Sequence, residues 1–589
     1  MRRILQILQL YLIFLPVQIC AQISGDSYST SSVMASGEWF KIGVTSDGIY
    51  KIDYSRLKQL GLKYPSNPKI FGNNFGQLSY YNDDPKPDDL KELSIFVSGN
   101  DETLDEGEYI LFFGKGADKW KYNVNSKEYD FVQHNYSDTA YYFITSGPSP
   151  GKHVKVTPNG SLSVNYYSSI SDALYIHEVE NENLIKSGRE WFEPISTLKG
   201  ISINPGFTGL LTSEKVKYSI RVAARASVST IFRLYEGELM KKSIQTEGVN
   251  LFNTTGTYAQ ITSDTGSFIA GSASPVYEIR FYNNGESSAK GWVDWVKLQG
   301  RKYNTFTGQV MQYSDYKTIA PGRVTGFSIH GLVSDVIVWD ISDQVNAKQI
   351  QLMRAAYSIT FKAATDTIKT FIAFTQANTI IPVIKSTAIS NQNLHSSEPA
   401  DMIIITHPLF REYAQKLANI HLKTSGLISQ IFTPEQVYNE FSGGIPDIAA
   451  IRNFLRMKYL KQKGTNHPLK YLLLFGDGSY ENKTLPPNNP NFIPTYQSQN
   501  SNVYVSSFTS DDFYGLLDNG DGEADGTEDI VIGRLPVSDT SQAGTILAKI
   551  GRYLDPVNIV DWKNVICLTA DDEDGNVHMS DAEGLGRYL

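Results

Sequence analysis

The pattern of apolar residues changes near residue 398, and this change most constrains the fold. Before it, short stretches rich in Tyr, Phe and Val alternate with turns that contain Gly, Asp and Pro, from Gly37 to about His395. Such residues favour strands, and strands at this spacing favour a β-sandwich. After it, continuous apolar strands alternate with helical stretches, which predicts a mainly parallel sheet covered by helices. The predicted fold class is therefore multidomain, with β-rich N-terminal domains that include a β-sandwich, followed by an α/β domain.

A length of 589 residues allows about four domains of ordinary size. We expect a signal peptide at 1–21, a β-rich domain at 22–158, a β-sandwich region at 159–396 and the α/β domain at 397–589. The final residues begin an amphipathic helix with no cap and no strand after it. The α/β domain is therefore expected to be incomplete at its C-terminal end.

In the N-terminal β-rich domain, two strands separated by a Ser-Asp-Gly turn, Trp39–Val44 and Ile49–Ile52, predict a hairpin.

The predicted strands of the α/β domain give the first candidate positions for function. They are Met402–Thr406, Leu427–Phe432, Tyr471–Phe475, Ile530–Ile532 and Val565–Leu568. Ligands of parallel sheets bind beyond the carboxyl ends of the strands. Those ends carry Thr406-His407, Gly476-Asp477 and Thr569–Asp572.

The N-terminus has the three parts of a secretory signal peptide: a basic start, an apolar run from Ile4 to Ile19 and a cleavage point before Gln22. A membrane anchor is disfavoured because the run is shorter than the roughly 20 residues that span a bilayer. A lipoprotein would place Cys20 at the new N-terminus, but Ile19 is bulky where a small residue is needed. Cleavage leaves Cys567 as the single thiol of an exported protein without internal disulfides.

Charge excludes one class of partner and suggests another. The net charge of −9 gives no general attraction for nucleic acid. Residues 511–589 carry 17 acidic and 5 basic residues, a balance of 5 − 17 = −12. The segment Asp518–Gly526 places oxygen-bearing side chains between glycines and so resembles a calcium loop, although the spacing is not that of an EF-hand. A solvated acidic turn remains the alternative. The candidate calcium ligands are Asp511, Asp512, Asp518, Asp521 and Asp525.

Other chemistry-bearing motifs are incomplete. Gly476–Ser479 lacks the elements of a dinucleotide or phosphate-binding loop, and the nine histidines show no zinc-ligand spacing. Cys567 lies within the predicted strand Val565–Leu568, so we expect a buried thiol with a raised pKa rather than a nucleophile. The acidic residues Asp571–Asp574 follow that strand, as either a catalytic or a solvated loop.

Several segments together resemble the gingipain-type cysteine peptidases, whose sheet is caspase-like. In the α/β region they are YLLLFGD at 471–477, SDDFY at 510–514, VIGRL at 531–535 and WKNVICLTA at 562–570. Upstream segments resemble the N-terminal region of a subgroup, the C-terminal signal peptidases of the type IX secretion system of Bacteroidetes. These are GEWFKIGVTSDGIYKIDY at 37–54, DEGEYILFFG at 105–114, SGREWF at 187–192, GWVDWV at 291–296 and VWDISD at 338–343.

The resemblance implies catalysis by a Cys thiolate with a His base, a chemistry that requires no cofactor. A structural calcium is suggested by the acidic loop alone. The family's His and Cys would both follow Leu589, so neither is assigned to a residue of this chain, which we expect to be inactive alone. Cys567 matches a strand position of the family, and Asp572 matches an acidic residue that orients the catalytic histidine. Selectivity for arginine is not implied, since His578 lies near a position where gingipains carry an acid.

The resemblance also implies partners and location. The parent protein would act at the cell surface, associated with the outer membrane. Its partners would be secreted proteins that carry C-terminal secretion signals, other type IX secretion components and an anionic lipopolysaccharide. Two alternatives remain open from the residues: a non-catalytic cell-surface binding module, and a broad-specificity secreted gingipain-like protease.

Overall fold

The N-terminal unit is built on two sheets around one apolar core. The structure is a computed structural model that describes residues 28–588 except 74, 75, 100, 159, 161, 386, 556, 558 and 559. The predicted signal peptide lies outside the described residues. One sheet contains Phe40–Val44, Pro68–Gly72, Lys91–Glu92, Ala140–Ser146 and Val383–Ile384, and the other contains Gly48–Asp53, Phe96–Val97 and Tyr109–Gly114. The helix Tyr54–Leu60 packs on them, and a hairpin of Lys119–Asn123 and Glu128–Val132 extends from the unit.

The predicted hairpin at the start of this unit is wrong, although both strands exist. Phe40–Val44 pairs with Ala140–Ser146, whereas Gly48–Asp53 pairs with Tyr109–Gly114 in the other sheet. The connecting turn explains the separation. The Asp47 carboxylate accepts a hydrogen bond from the Gly116 backbone N–H (2.9 Å) and pairs with Lys115 (3.1 Å), which directs the second strand away from the first.

The strands between Lys155 and Phe374 form two sandwiches, so the predicted β-sandwich is present. In the first sandwich one sheet is formed by Ile170–Glu178, Lys290–Tyr303, Lys215–Arg225, Gln260–Ile269 and Glu193–Ile195, and the other by Ile201–Ile203, Tyr277–Tyr282, Thr230–Glu236 and Leu239–Thr246. Alternate side chains such as Val216, Tyr218 and Ile220 point into its core, as a strand of period two requires.

In the sequence, the strands of the second sandwich lie on both sides of the first sandwich: two precede it and the others follow it. One sheet contains Lys155–Thr157, Lys348–Ile350, Ile337–Asp340, Thr370–Phe374 and Met311–Ser314; the other contains Tyr166–Ser168, Val324–Gly331, Ser358–Ala364, Met353–Ala355 and Thr305–Phe306. Phe327 and Phe371 meet across the core with ring centroids 5.0 Å apart. Ile49 and Phe113 of the N-terminal unit pack against Trp339, which joins the two.

The α/β module follows the predicted pattern. Its parallel sheet has the order Ser429–Phe432, Met402–Thr406, Tyr471–Phe475, Val531–Leu535. Its helices are Arg411–Ser425, Pro434–Phe441, Ile448–Gln462 and Thr540–Leu554, and a small ribbon pairs Tyr496–Gln497 with Thr509–Ser510. The third helix begins after Asp447, whose side chain accepts a hydrogen bond from the Ala449 N–H (2.8 Å), a standard N-cap. In the described part of the chain, no helix is long and apolar enough to cross a membrane.

The predicted strand Val565–Leu568 is wrong. The segment has no strand structure, and Val565 and Ile566 are 70% and 65% exposed. An apolar run becomes a strand only where another strand pairs with its backbone, and the parallel sheet ends at Val531–Leu535. The segment is followed by the helix Glu573–Gly586, which contains a kink at residues 574–576.

Many polar contacts hold the α/β module against the rest of the molecule. In one of them, which we call the His395 joint, the buried His395 imidazole lies between Asp88 (Nε2 to Oδ1, 2.9 Å) and Glu440 (Nδ1 to Oε2, 2.6 Å) and stacks on Phe441. Burial opposes a charge on His395, but hydrogen bonds to the two carboxylates raise its pKa to about 9.

Another contact, the Arg189 joint, attaches the first sandwich to the module. Arg189 forms an ion pair with Glu523, and its Nη1 donates to the Gln497 carbonyl oxygen (3.0 Å). Gly188 has a φ of +77°, and a Cβ built there would lie 1.9 Å from the Asn500 carbonyl oxygen. Only glycine permits this approach of the two backbones.

Candidate functional site

The carboxyl ends of the parallel strands meet at one edge, as predicted. The Thr406 hydroxyl donates to the Phe475 carbonyl oxygen (2.9 Å), and the Gly476 N–H donates to the Leu535 carbonyl oxygen (3.0 Å). Gly476 has a φ of +154°, and a Cβ there would lie 3.0 Å from Cβ of Phe492. The loop after the third strand therefore folds tightly over the strand ends.

Arg534 connects this loop to the strands. Its Nη1 donates to the carbonyl oxygens of Gly476 (2.9 Å) and Ile493 (3.0 Å), while Nε and Nη2 each lie 2.7 Å from an oxygen of Asp511. Burial opposes the guanidinium charge, but hydrogen bonds to Asp511 raise its pKa above the ordinary value. The Asp511 carboxylate, a predicted calcium ligand, is thus already occupied by an arginine.

His407 is the titratable side chain at the end of the central strand. Its Nδ1 accepts a hydrogen bond from the Leu409 N–H (3.2 Å), which caps a short helical turn. Its ring lies edge-on to Phe492 at 5.1 Å, and burial lowers its pKa. The imidazole is therefore neutral at pH 7 and can accept a proton. Cys567, the cysteine within the described residues, is exposed in the segment after the sheet.

The remaining predicted calcium ligands lie on the loop after residue 510. Asp521 Oδ2 accepts a hydrogen bond from the Asp518 N–H (2.9 Å), and the Asp525 carbonyl oxygen accepts one from the Gly522 N–H (3.0 Å). Asp512 lies beside Glu528, whose pKa is raised by burial and by that neighbouring carboxyl. Within the described ranges no three acidic, histidine or cysteine side chains converge as a metal site. Calcium binding stays a prediction, and a calcium titration of the melting temperature with the Asp518→Asn and Asp525→Asn variants would test it.

The predicted catalytic residue Asp572 lies immediately before the helix Glu573–Gly586 and forms no capping hydrogen bond. Because Val565–Leu568 is not a strand, Asp572 does not stand at a strand end. The expected buried thiol is also wrong, since Cys567 is exposed. Asp571, His578 and Asp581 line a shallow groove in this segment. The role of Asp572 stays a prediction.

Some functional groups were not identified from the sequence. The sequence indicated Asp511 only as a candidate calcium ligand and Arg534 only as part of the motif VIGRL, and their pairing depends on the fold. The sequence also did not identify three acidic residues that line one cavity of about 260 Å³ on the first sandwich: Glu178, Glu190 and Asp294. Two signals existed for the last group: Glu190 belongs to SGREWF and Asp294 to GWVDWV.

Comparisons with known proteins give the context of these sites. Residues 395–589 match the model of Peptidase family C25. The structure is similar to dimeric latent PorU from Porphyromonas gingivalis, with a TM-score of 0.79 and 24% identity, over 93% of this chain. This chain spans 53%, about half, of the PorU chain. The resemblance to the gingipain-type peptidases and the predicted fold class are confirmed.

Two other solved structures match with TM-scores too low for a shared fold. An insecticidal delta-endotoxin from Bacillus thuringiensis matches at a TM-score of 0.16 and 11% identity, over 44% of this chain and 43% of its own. A cycloisomaltooligosaccharide glucanotransferase from Paenibacillus matches at 0.13 and 7% identity, over 36% and 47%. No curated protein sequence matches this chain significantly.

Proposed function

With residues 395–589 taken as a segment of Peptidase family C25, we propose that this chain is part of a cysteine-type endopeptidase that removes C-terminal secretion signals from exported proteins. The observation that carries the proposal is a fold shared with PorU over 93% of the chain, joined to the family match in the α/β module. The upstream motifs, which lie outside the family match, support the narrower function over a general protease.

The chemistry follows from the family. A Cys thiolate attacks the scissile carbonyl carbon and expels the amine, and a His transfers the proton to that leaving group. We propose that both residues belong to sequence after Leu589 and that Asp572 orients the histidine. His407 is a neutral imidazole at a strand end, but its Nδ1 is used by the Leu409 N–H and its ring packs on Phe492. We assign it to closing the sheet edge and not to the reaction.

The proposed substrates are secreted proteins that carry a C-terminal secretion domain, at the cell surface and with other type IX secretion components. The trimmed product would be transferred to an anionic lipopolysaccharide. A second candidate, a broad-specificity secreted protease, differs only in substrate. A third, a surface binding module without chemistry, is supported by the acidic cavity of the first sandwich.

The test compares two proteins: residues 22–589, and the product of the reading frame continued past Leu589. We expect thiol-dependent cleavage of a cargo protein that bears the secretion domain only from the longer protein. The Cys567→Ser variant of the longer protein is the matched control and should keep full activity, because Cys567 is not the proposed nucleophile. Activity from residues 22–589, or loss of activity in Cys567→Ser, contradicts the assignment.

Two further outcomes separate the alternatives. Equal cleavage of cargo with and without the secretion domain would support the broad-specificity protease. A reading frame that encodes no further histidine and cysteine would support the binding module.

A further inference from the structure

The first sandwich carries a cavity of about 260 Å³ where it meets the N-terminal unit and the α/β module. Its floor is the outer face of the sheet that contains Ile170–Glu178, Lys215–Arg225 and Lys290–Tyr303. Phe131 of the N-terminal unit and Gln499 of the module contribute to its walls. Three parts of the molecule therefore enclose a space that no proposed step of the peptidase reaction uses.

A β-bulge directs two adjacent side chains into this space. Arg221 pairs with Trp295 and Val222 with Val293, so Asp294 is the extra residue of its strand. In a regular strand neighbouring side chains point to opposite faces, and a bulge removes that alternation locally. As a result, Asp294 and Trp295 both line the cavity.

The cavity has more carboxylates than cations. Arg221 forms ion pairs with both Glu190 (2.8 Å) and Asp294, so one cation compensates two carboxylates. The Glu190 side chain is 9% exposed, lines the cavity, and its Oε2 has no hydrogen-bond partner within the described residues. Glu178 also lines the cavity and forms no ion pair or side-chain hydrogen bond with any described residue.

Neighbouring ion pairs do not remove this excess. Glu180 pairs with Lys483, which Asp138 shares, and Asp130 lies 3.6 Å from Lys297. Arg189, which also lines the cavity, pairs with Glu523. Burial, and then Asp294 and Glu180, raise the pKa of Glu178 to about 8; burial raises that of Asp294 to about 7. Both shifts show that the groups around the cavity do not fully stabilise the negative charges of Glu178 and Asp294.

The walls favour an organic cation. Trp191 and Trp295 line the cavity, and Arg221 already lies 5.0 Å from the ring centroid of Trp295. Indole rings attract guanidinium and ammonium groups through their π faces. A metal ion fits less well, since the described residues do not gather three side chains of the metal-binding types.

We propose that this acidic cavity, lined by Glu178, Glu190, Asp294, Trp191 and Trp295, binds one organic cation of the guanidinium or ammonium class. Such a group belongs either to a free amine or to the basic side chain of a peptide. The proposal does not depend on the peptidase activity, because the cavity is formed by the sandwich and its neighbours.

The test is calorimetric titration of residues 22–589 with three probes: arginine amide, acetyl-Gly-Arg-Gly-amide and the neutral peptide in which citrulline replaces arginine. We expect saturable binding of the two arginine compounds and at least tenfold weaker binding of the citrulline peptide. Equal binding of arginine amide and the arginine peptide identifies a small-molecule site, whereas tighter binding of the peptide identifies a polypeptide partner.

Two variants keep the test specific. At pH 9, where the Glu178 carboxyl is ionised, Glu178→Gln preserves shape and should weaken binding about tenfold, in line with one lost charge contact. Glu238→Gln is the matched control, because Glu238 lies on the same sandwich and its side chain is 91% exposed; its binding should not change. Trp295→Phe, a second variant within the cavity, should weaken binding severalfold. The absence of saturable binding, equal binding of citrulline, or unchanged binding by Glu178→Gln would overturn the proposal.

Discussion

The His395 joint and the Arg189 joint, two of the contacts that hold the α/β module, differ in how fully the carboxylates around them are hydrogen-bonded. In the His395 joint one buried imidazole lies between Asp88 and Glu440, and Glu440 also accepts a hydrogen bond from the Leu394 N–H (3.0 Å). In the Arg189 joint the Arg189–Glu523 pair lies close to a cavity whose carboxylates outnumber its cations. Buried carboxylates whose oxygens all have hydrogen-bond partners, as in the His395 joint, fix a structure. A carboxylate that lacks a partner, as Glu190 does at Oε2, is retained where a ligand can use it. The comparison indicates that the first joint serves attachment alone and the second serves attachment and binding.

The largest effect should come from breaking the His395 joint. Glu440→Ala leaves His395 buried with one carboxylate and removes the acceptor for the Leu394 N–H. Loss of one partner from a buried ion pair costs about 3–5 kcal/mol. We expect a loss of this size in the free energy of unfolding of the α/β module, measured by urea unfolding with proteolysis as the probe.

Glu412→Ala is the control for this measurement. Glu412 is 76% exposed and pairs with Lys416 one helical turn away, so its removal should leave the free energy of unfolding nearly unchanged. Similar losses for the two variants would mean that the His395 joint is not the main attachment of the module.

The same joint should depend on pH in a defined direction. The pKa of His395 is raised from 6.5 to about 9. A raised pKa means that the charged form stabilises the fold below pH 6.5 and that this contribution disappears as the pH rises through about 9. The full loss is on the order of 3 kcal/mol. Melting temperatures measured between pH 6 and pH 10 should fall across this window.

The matched variant for the pH series is His395→Gln, which hydrogen-bonds but does not titrate. It should be less stable than the parent at pH 6, with a smaller difference at pH 10. An unchanged difference across the series would show that His395 is neutral in the folded protein.

The sequence predicted those parts of the fold that short segments determine. The strands Met402–Thr406 and Tyr471–Phe475 appear where expected, because a continuous apolar run is a local signal. Val565–Leu568 failed because strand formation depends on a pairing partner that no local pattern reveals. The hairpin after Trp39 failed for the same reason, since the partners of both strands are distant in sequence.

The functional sites divide in the same way: the sequence indicated residue types but not which residues pair. Asp511 was recognised as an oxygen ligand but not as the partner of Arg534, which lies 23 residues away. Each of the two sandwich motifs, SGREWF and GWVDWV, contains an acid beside a tryptophan, yet only the bulge at Asp294 and the close approach at Gly188 bring them to one cavity. Sequence reasoning can therefore propose the residue types of a site, while the geometry that combines them comes from tertiary contacts.

The smallest effect, and the one that separates the joints, is expected from Gly188→Ala. The new Cβ would lie 1.9 Å from the Asn500 carbonyl oxygen, at a φ of +77° that alanine disfavours. We expect a cost of about 2 kcal/mol. Gly206→Ala is the control, because Gly206 also has a positive φ (+62°) but no atom within 4 Å of the new Cβ. It should cost about 1 kcal/mol from backbone strain alone.

Hydrogen exchange shows where that cost falls. If the joints are independent, Gly188→Ala should speed exchange at the Arg189 N–H, which donates to the Ser498 carbonyl oxygen (3.1 Å), and leave the Leu394 N–H of the His395 joint protected. Glu440→Ala should have the reverse effect. Faster exchange at both sites in either variant would mean that the module opens as one unit, and that the acidic cavity and the His395 joint are coupled through it.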